Sequence, residues 1–113
     1  MARLGEIAHA RSGDKGGGAN VGIIAYTEAG YAWLCENLSA DRVASYFAPM
    51  SPGEVKRYEM PNLRALNFVL PQVLDGGGSR SLRVDAQGKA LGQIALEMPI
   101  ELSEDEIASM RRR

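Results

Sequence analysis

The sequence predicts an α+β fold, a two-layer sandwich in which one mostly antiparallel sheet of four to five strands carries two main helices on one face. Three observations predict it. Residues 20–27, Asn20-Val21-Gly22-Ile23-Ile24-Ala25-Tyr26-Thr27, are apolar on both sides. That pattern belongs to an interior strand covered above and below, or covered on one side and packed at a subunit interface on the other. Residues 27–47 place apolar side chains at helical spacing. From Leu82 to Leu102, apolar and polar residues alternate around a turn at Asp85-Ala86-Gln87-Gly88, as in a hairpin with one buried and one wet face. A chain of 113 residues is the size of one core, so residues 1–113 are read as a single domain.

Composition narrows the function. An apolar fraction of 45% and a charged fraction of 24% are those of an ordinary globular protein. A formal net charge of -1 argues against nucleic acid or an anionic membrane as a partner. Cys35 is the only cysteine, so the chain has no internal disulfide and no thiolate metal cluster, and Cys35 reads as a small hydrophobe beside a helical stripe. His9 is the only histidine and has no paired ligand, so neither metal nor cofactor is expected. Met1–Glu6 lacks the apolar core of a signal peptide and no apolar run approaches transmembrane length, which predicts a cytoplasmic protein.

Residues 3–11 read as the first strand, with Ile7, His9 and Arg11 on one side. Leu4, Ala8 and Ala10 form the other side, where small residues invite close approach by another layer. Ser12–Ala19 reads as the loop to the strand at 20–27. Thr27 then caps a helix bearing Tyr31, Leu34, Cys35 and Leu38. Ser39 or Asp41 opens a second, shorter helix with Val43, Tyr46 and Phe47 on its buried side, ended by Pro49, Pro52 and Gly53. Glu54–Met60 is a short strand. Asn62 is expected to cap a helix with Leu63, Leu66, Asn67, Leu70 and Leu74 on one face, bent at Pro71. Asn67 is then either a buried amide that ties down the bend or a functional amide facing the first glycine-rich stretch. Asp75-Gly76-Gly77-Gly78 forms a second glycine-rich turn, and whether it brings Arg80 to the first is left open. In the hairpin that follows, Pro99 puts the far end of the long strand at an edge or out of the sheet. Ser103 and Glu106 form a capping box for a last helix reaching Met110.

The densest chemistry lies between His9 and Gly22. His9, Arg11, Ser12, Asp14, Lys15 and Asn20 stand among Gly13, Gly16, Gly17 and Gly18. Glycines let backbone N–H groups converge on an anion, and Arg11 and Lys15 supply charge. Neither standard nucleotide motif fits. Lys15 precedes the glycines instead of following them, Val21 falls where a dinucleotide fingerprint has its third glycine, and a strand follows in place of a helix. Three readings stand: an ion pair of Asp14 with Arg11 or Lys15 that braces the loop, a ligand or partner contact, and acid–base catalysis by His9, Asp14 or Lys15.

Ala8-His9-Ala10-Arg11-Ser12-Gly13-Asp14-Lys15-Gly16, followed by Ala19-Asn20-Val21-Gly22-Ile23-Ile24-Ala25, resembles the C-terminal domain of the AtuA-like (acyclic terpene utilisation) family. So do residues 58–68, Tyr58 to Phe68, and residues 81–89, Ser81 to Lys89. The resemblance covers nearly the whole chain and implies a ferredoxin-like fold. It also implies a bacterial catabolic setting, in which acyclic terpenes or other branched acids are degraded as CoA thioesters. The large N-terminal domain of the family's long form is not part of this chain, so a separate chain is expected to supply it. The motif positions that transfer are His9, Arg11, Ser12, Asp14, Lys15, Asn20, Asn62 and Asn67, none with a catalytic role. The candidate ligand-binding set is accordingly His9, Arg11, Ser12, Asp14, Lys15, Gly16, Asn20 and Asn67. The expected function is a small accessory or binding subunit, homo-oligomeric and able to dock that larger chain, rather than an enzyme on its own. The alternative is an enzyme, or part of one, that holds the anionic group of an acyl-CoA or carboxylate in the Arg11–Asn20 stretch.

Overall fold

The computed structural model describes residues 2–15, 18–50, 52–71 and 89–111. A two-residue strand β1 (Ala2–Arg3) enters a tight 3-10 turn at Leu4–Glu6. The Glu6 carboxylate accepts from the Arg3 N–H at 2.9 Å and helps hold that turn. The expected strand over 3–11 is therefore broken, and β2 runs only from Ala8, to Lys15. After β2 come β3 (Gly18–Ala25), α1 (Glu28–Asn37), α2 (Ala40–Tyr46), β4 (Lys56–Met60) and β5 (Ala65–Leu70). The described chain ends with α3 (Lys89–Leu96), β6 (Pro99–Ile100) and α4 (Glu104–Met110). Four strands form one antiparallel sheet in the order β2-β3-β5-β4, and β1 pairs with β6 in a separate antiparallel ribbon. The helices pack on one face of the larger sheet. The α+β two-layer expectation holds.

The Ser12–Ala19 loop does not exist as a loop. The β2–β3 ladder continues from Ala8↔Ala25 out to Lys15↔Gly18, leaving two residues between its paired ends. Gly18 owes its place to crowding, because a Cβ there would lie 2.5 Å from the Pro71 carbonyl oxygen and 2.7 Å from that of Leu70. Only glycine lets β3 run this close to the end of β5.

The expected helix after Asn62 is a strand. Pro61–Leu63 is a 3-10 turn, Arg64 takes a left-handed φ of 52°, and β5 then lies between β3 and β4. Asn62 is exposed within that turn and caps no helix. Leu66, Phe68 and Leu70 all point into the core. Two periods coincide here, since Leu66 and Leu70 fit a helical stripe and Phe68 completes a period of two. Pro71 also disfavours helical backbone at Leu70 and suits a strand end.

The expected long strand over 94–102 is also corrected. Residues 94–96 belong to α3, where Leu91 and Ala95 are buried one turn apart, and Met98 is buried just beyond the helix. Only Pro99–Ile100 is extended, at an edge as suits Pro99. Leu82–Gly88, the turn at Gly76–Gly78 and Arg80 lie outside the described residues.

Gly92 brings α3 against β2. A Cβ on Gly92 would sit 3.3 Å from the Ala10 Cβ, and the Gly92 N–H donates to Ser12 Oγ at 3.2 Å. The small side of β2 is thus covered closely by a second layer.

The core lies between the sheet and the helices. Val21, Ile23, Leu66, Phe68 and Leu70 meet Leu34, Leu38, Val43, Phe47 and Leu91. Thr27 accepts from Gly30 N–H and Ser39 from Arg42 N–H, each at 3.0 Å. Ser103 and Glu106 close the reciprocal capping box on α4. Each such cap contributes about 1 kcal/mol. At the other end of α1, the Arg57 guanidinium of β4 donates to the carbonyls of Cys35 and Leu38 at 3.2 and 3.1 Å, placing a cation where the helix dipole favours one.

Two tyrosines couple this packing to pH. Burial, reinforced by the neighbouring Cys35 thiol and by Glu59, pushes the Tyr31 phenol up to about 12. Burial also raises Tyr46, whose hydroxyl donates to the Ile94 carbonyl at 2.6 Å and ties α2 to α3. A phenol raised in the folded state favours folding fully while pH stays below its unfolded value of 10.0, and loses that contribution as pH climbs toward 12. Urea midpoints are expected to stay level up to 10.0 and to fall above it, and Tyr31→Phe is expected to flatten that fall.

Candidate functional site

Among the described residues no element covers the face of the sheet away from the helices, and strand pairing sets its side chains in cross-strand rows. The central row reads Arg11–Gly22–Asn67–Tyr58 across β2, β3, β5 and β4. On one side of it runs His9–Ile24–Ala65–Met60, and on the other Gly13–Asn20–Val69–Lys56. Gly22 offers no side chain in the middle of this surface, and a trough of about 520 Å³ opens there. The volume lies in the range of small-molecule sites.

The trough has a polar side and an apolar side. Arg11, Asn20, Asn67 and His9 supply the first, while Ile24, Ala65, Met60 and Leu63 supply the second. The Asn20 side-chain amide donates to Asn67 Oδ1 at 3.3 Å, linking neighbouring strands. That bond leaves Asn67 Nδ2 as donor and Asn20 Oδ1 as acceptor for anything else that reaches the pair. A Cβ on Gly13 would lie 3.3 Å from Asn20 Oδ1, so the absence of a side chain at residue 13 leaves this acceptor uncrowded. The His9 ring stacks on Tyr26 with centroids 5.4 Å apart and an interplanar angle of 21°, which fixes the imidazole at one end. Arg11 is exposed, and no ion pair holds it among the described residues.

The structure therefore brings together four of the residues singled out from the sequence: His9, Arg11, Asn20 and Asn67. Asn67 ties no helix bend, since it sits in a strand opposite Gly22 and Tyr58. Ser12 borders the trough, yet its hydroxyl bonds to α3 on the opposite face and serves packing. Asp14 and Lys15 take part in the ladder opposite Ala19 and Gly18, and Gly16 lies outside the described residues. The residues that sequence reasoning missed are Gly22 as floor and Ile24, Met60, Leu63 and Ala65 as wall. A signal for part of this was present, because Asn20, Gly22 and Ile24 alternate along one strand face. Their counterparts on β5 were hidden by the helical reading. Among the described residues no group of three or more His, Cys, Asp or Glu side chains converges, and no helix is long and apolar enough to cross a membrane.

The family model of the AtuA ferredoxin-like domain matches residues 2–101. The chain belongs to that family. In this AtuA ferredoxin-like domain the match spans all six described strands and the whole trough, and α4 follows it. No curated protein and no solved structure matches the chain.

Proposed function

We propose that this AtuA ferredoxin-like domain is a binding subunit that takes a branched carboxylate, or the acyl end of its CoA thioester, in the trough around Gly22. The observation that carries this reading is the pairing of an exposed guanidinium and an amide pair with an apolar wall in one concave site. Arg11 would meet a carboxylate in a charge-assisted hydrogen bond, and Asn67 Nδ2 would donate to the same oxygens or to a thioester carbonyl. A branched hydrocarbon would lie against Ile24, Ala65, Met60 and Leu63. The setting is bacterial catabolism of acyclic terpenes or related branched acids, with the family's large domain on a separate chain and the subunit acting in the cytoplasm. Chemistry on the ligand is assigned to that larger chain.

A thermal-shift screen with branched carboxylates, their CoA thioesters and free CoA tests the reading. The native protein is expected to be stabilised by the first two. Arg11→Ala is expected to weaken that binding about 10-fold to 100-fold, the loss that accompanies a charged hydrogen bond. Unchanged shifts in both Arg11→Ala and Asn67→Ala would place the ligand outside the trough.

A further inference from the structure

Among the described residues the sheet ends at β4, and the exposed apolar side chains gather there. The exposed large hydrophobic residues among those described are Tyr58, Met60 and Leu63, at 50%, 41% and 59% exposure. All three lie on β4 or the turn that follows it. Among the described residues β4 is hydrogen-bonded to β5 alone, and no described strand pairs with its outer backbone groups. Natural sheet edges are blunted by proline, a bulge, an inward charge or charged side chains such as lysine. Of these β4 carries only charges, which a second copy of the strand can pair. Lys56-Arg57-Tyr58-Glu59-Met60 contains no proline, and its one inward cation, Arg57, is bound to the end of α1 and to Glu59.

The strand is also complementary to itself. If two copies of β4 pair antiparallel about a two-fold axis through Tyr58, Arg57 of each copy faces Glu59 of the other on the helix side. On the open side Tyr58 faces Tyr58, and Lys56 lies across from Met60. Opposite charges meet, no like charges oppose each other, and the aromatic side chains stack at the centre. An isologous contact of this kind closes on itself.

From this edge we propose that the chain forms a two-fold dimer by pairing β4 with β4 of a second copy, joining two four-stranded sheets into one of eight strands. The pairing satisfies the open backbone edge and covers Tyr58 and Met60. It does not depend on the trough's ligand, and it brings the two open faces onto one continuous surface.

Light scattering of the full chain after size-exclusion chromatography tests it. The native protein is expected at twice the mass of one chain. Tyr58 is half exposed, so Tyr58→Glu and Tyr58→Lys are each expected to fold and to run at the mass of one chain, because like charges face each other across the axis. An equimolar mixture of the two is expected to return to the double mass. Tyr58→Cys in a Cys35→Ser background adds a readout independent of those charges, since oxidation should cross-link the two copies through residue 58. A native monomer overturns the proposal. So does a dimer that both charged variants leave intact, and so does a mixture of them that stays monomeric while the Tyr58→Cys variant fails to cross-link.

Discussion

Phe68→Ala is expected to lower the free energy of unfolding by about 3–5 kcal/mol, the usual cost of emptying a buried aromatic site. Phe68 is 1% exposed and sits on β5 opposite Val21 of β3 and Arg57 of β4, with the helix layer above it. Flanking strands hold the backbone, so the space cannot close by collapse. A domain of this size has about 5–15 kcal/mol in total, so a large share of it is lost. Urea unfolding checks this, with a lower midpoint at unchanged slope. The result also separates two local structures. In a helix that turned Leu63, Leu66 and Leu70 inward, Phe68 would lie on the opposite side, and its removal would cost little. Leu63→Ala, at an exposed turn, is the internal control and should change stability by no more than about 0.5 kcal/mol.

Gly22→Val is expected to separate folding from binding. A Cβ at this position would meet the Arg11 carbonyl oxygen at 3.7 Å and Asn67 Oδ1 at 3.9 Å, both ordinary contacts. Gly22 sits in the central strand of the sheet, where a β-branched residue is preferred by up to about 1 kcal/mol. The variant should therefore be as stable as the native protein, or more so. Its isopropyl group would stand on the floor of the trough, between Arg11 and the Asn20–Asn67 pair, where the ligand's head is proposed to lie. Thermal shift by branched carboxylates and their CoA thioesters should then vanish. Gain of stability with loss of binding would mark Gly22 as kept bare for the ligand. A native-sized shift in a well-folded Gly22→Val protein would move the ligand elsewhere. Gly18 provides the contrast, since a side chain there collides with the backbone at the end of β5.

Much of the helical layer was legible in the sequence. Thr27, Ser39 and Ser103 mark helix starts by side chains that reach backbone N–H groups three residues on, and all three are caps in the structure. Val43 and Phe47 are buried where the spacing puts them. Such signals are complete within one helical turn. The opening stretch also named residues that share a surface, since Arg11, Asn20 and His9 line one trough. Their common setting as a loop was the error. Glycines and small residues suit a turn, but they equally permit the close strand contacts at Gly18 and Gly22.

Local pattern determined the α+β class, the first two helices and the last, the central strand at Val21 and Ile23, and the polar residues of the candidate site. Tertiary structure decided that residues 65–70 are a strand and 89–96 a helix, and it alone made the trough. In both segments the apolar residues satisfy two periods at once, so the window by itself does not choose. The choice falls to partners outside the window: β3, well back in the chain, and the neighbouring β4 accept β5 between them, and Ala10 and Ser12 fit against Gly92. The trough depends on the same pairing, because Asn67 stands beside Gly22 and Asn20 only when β5 is extended and in register.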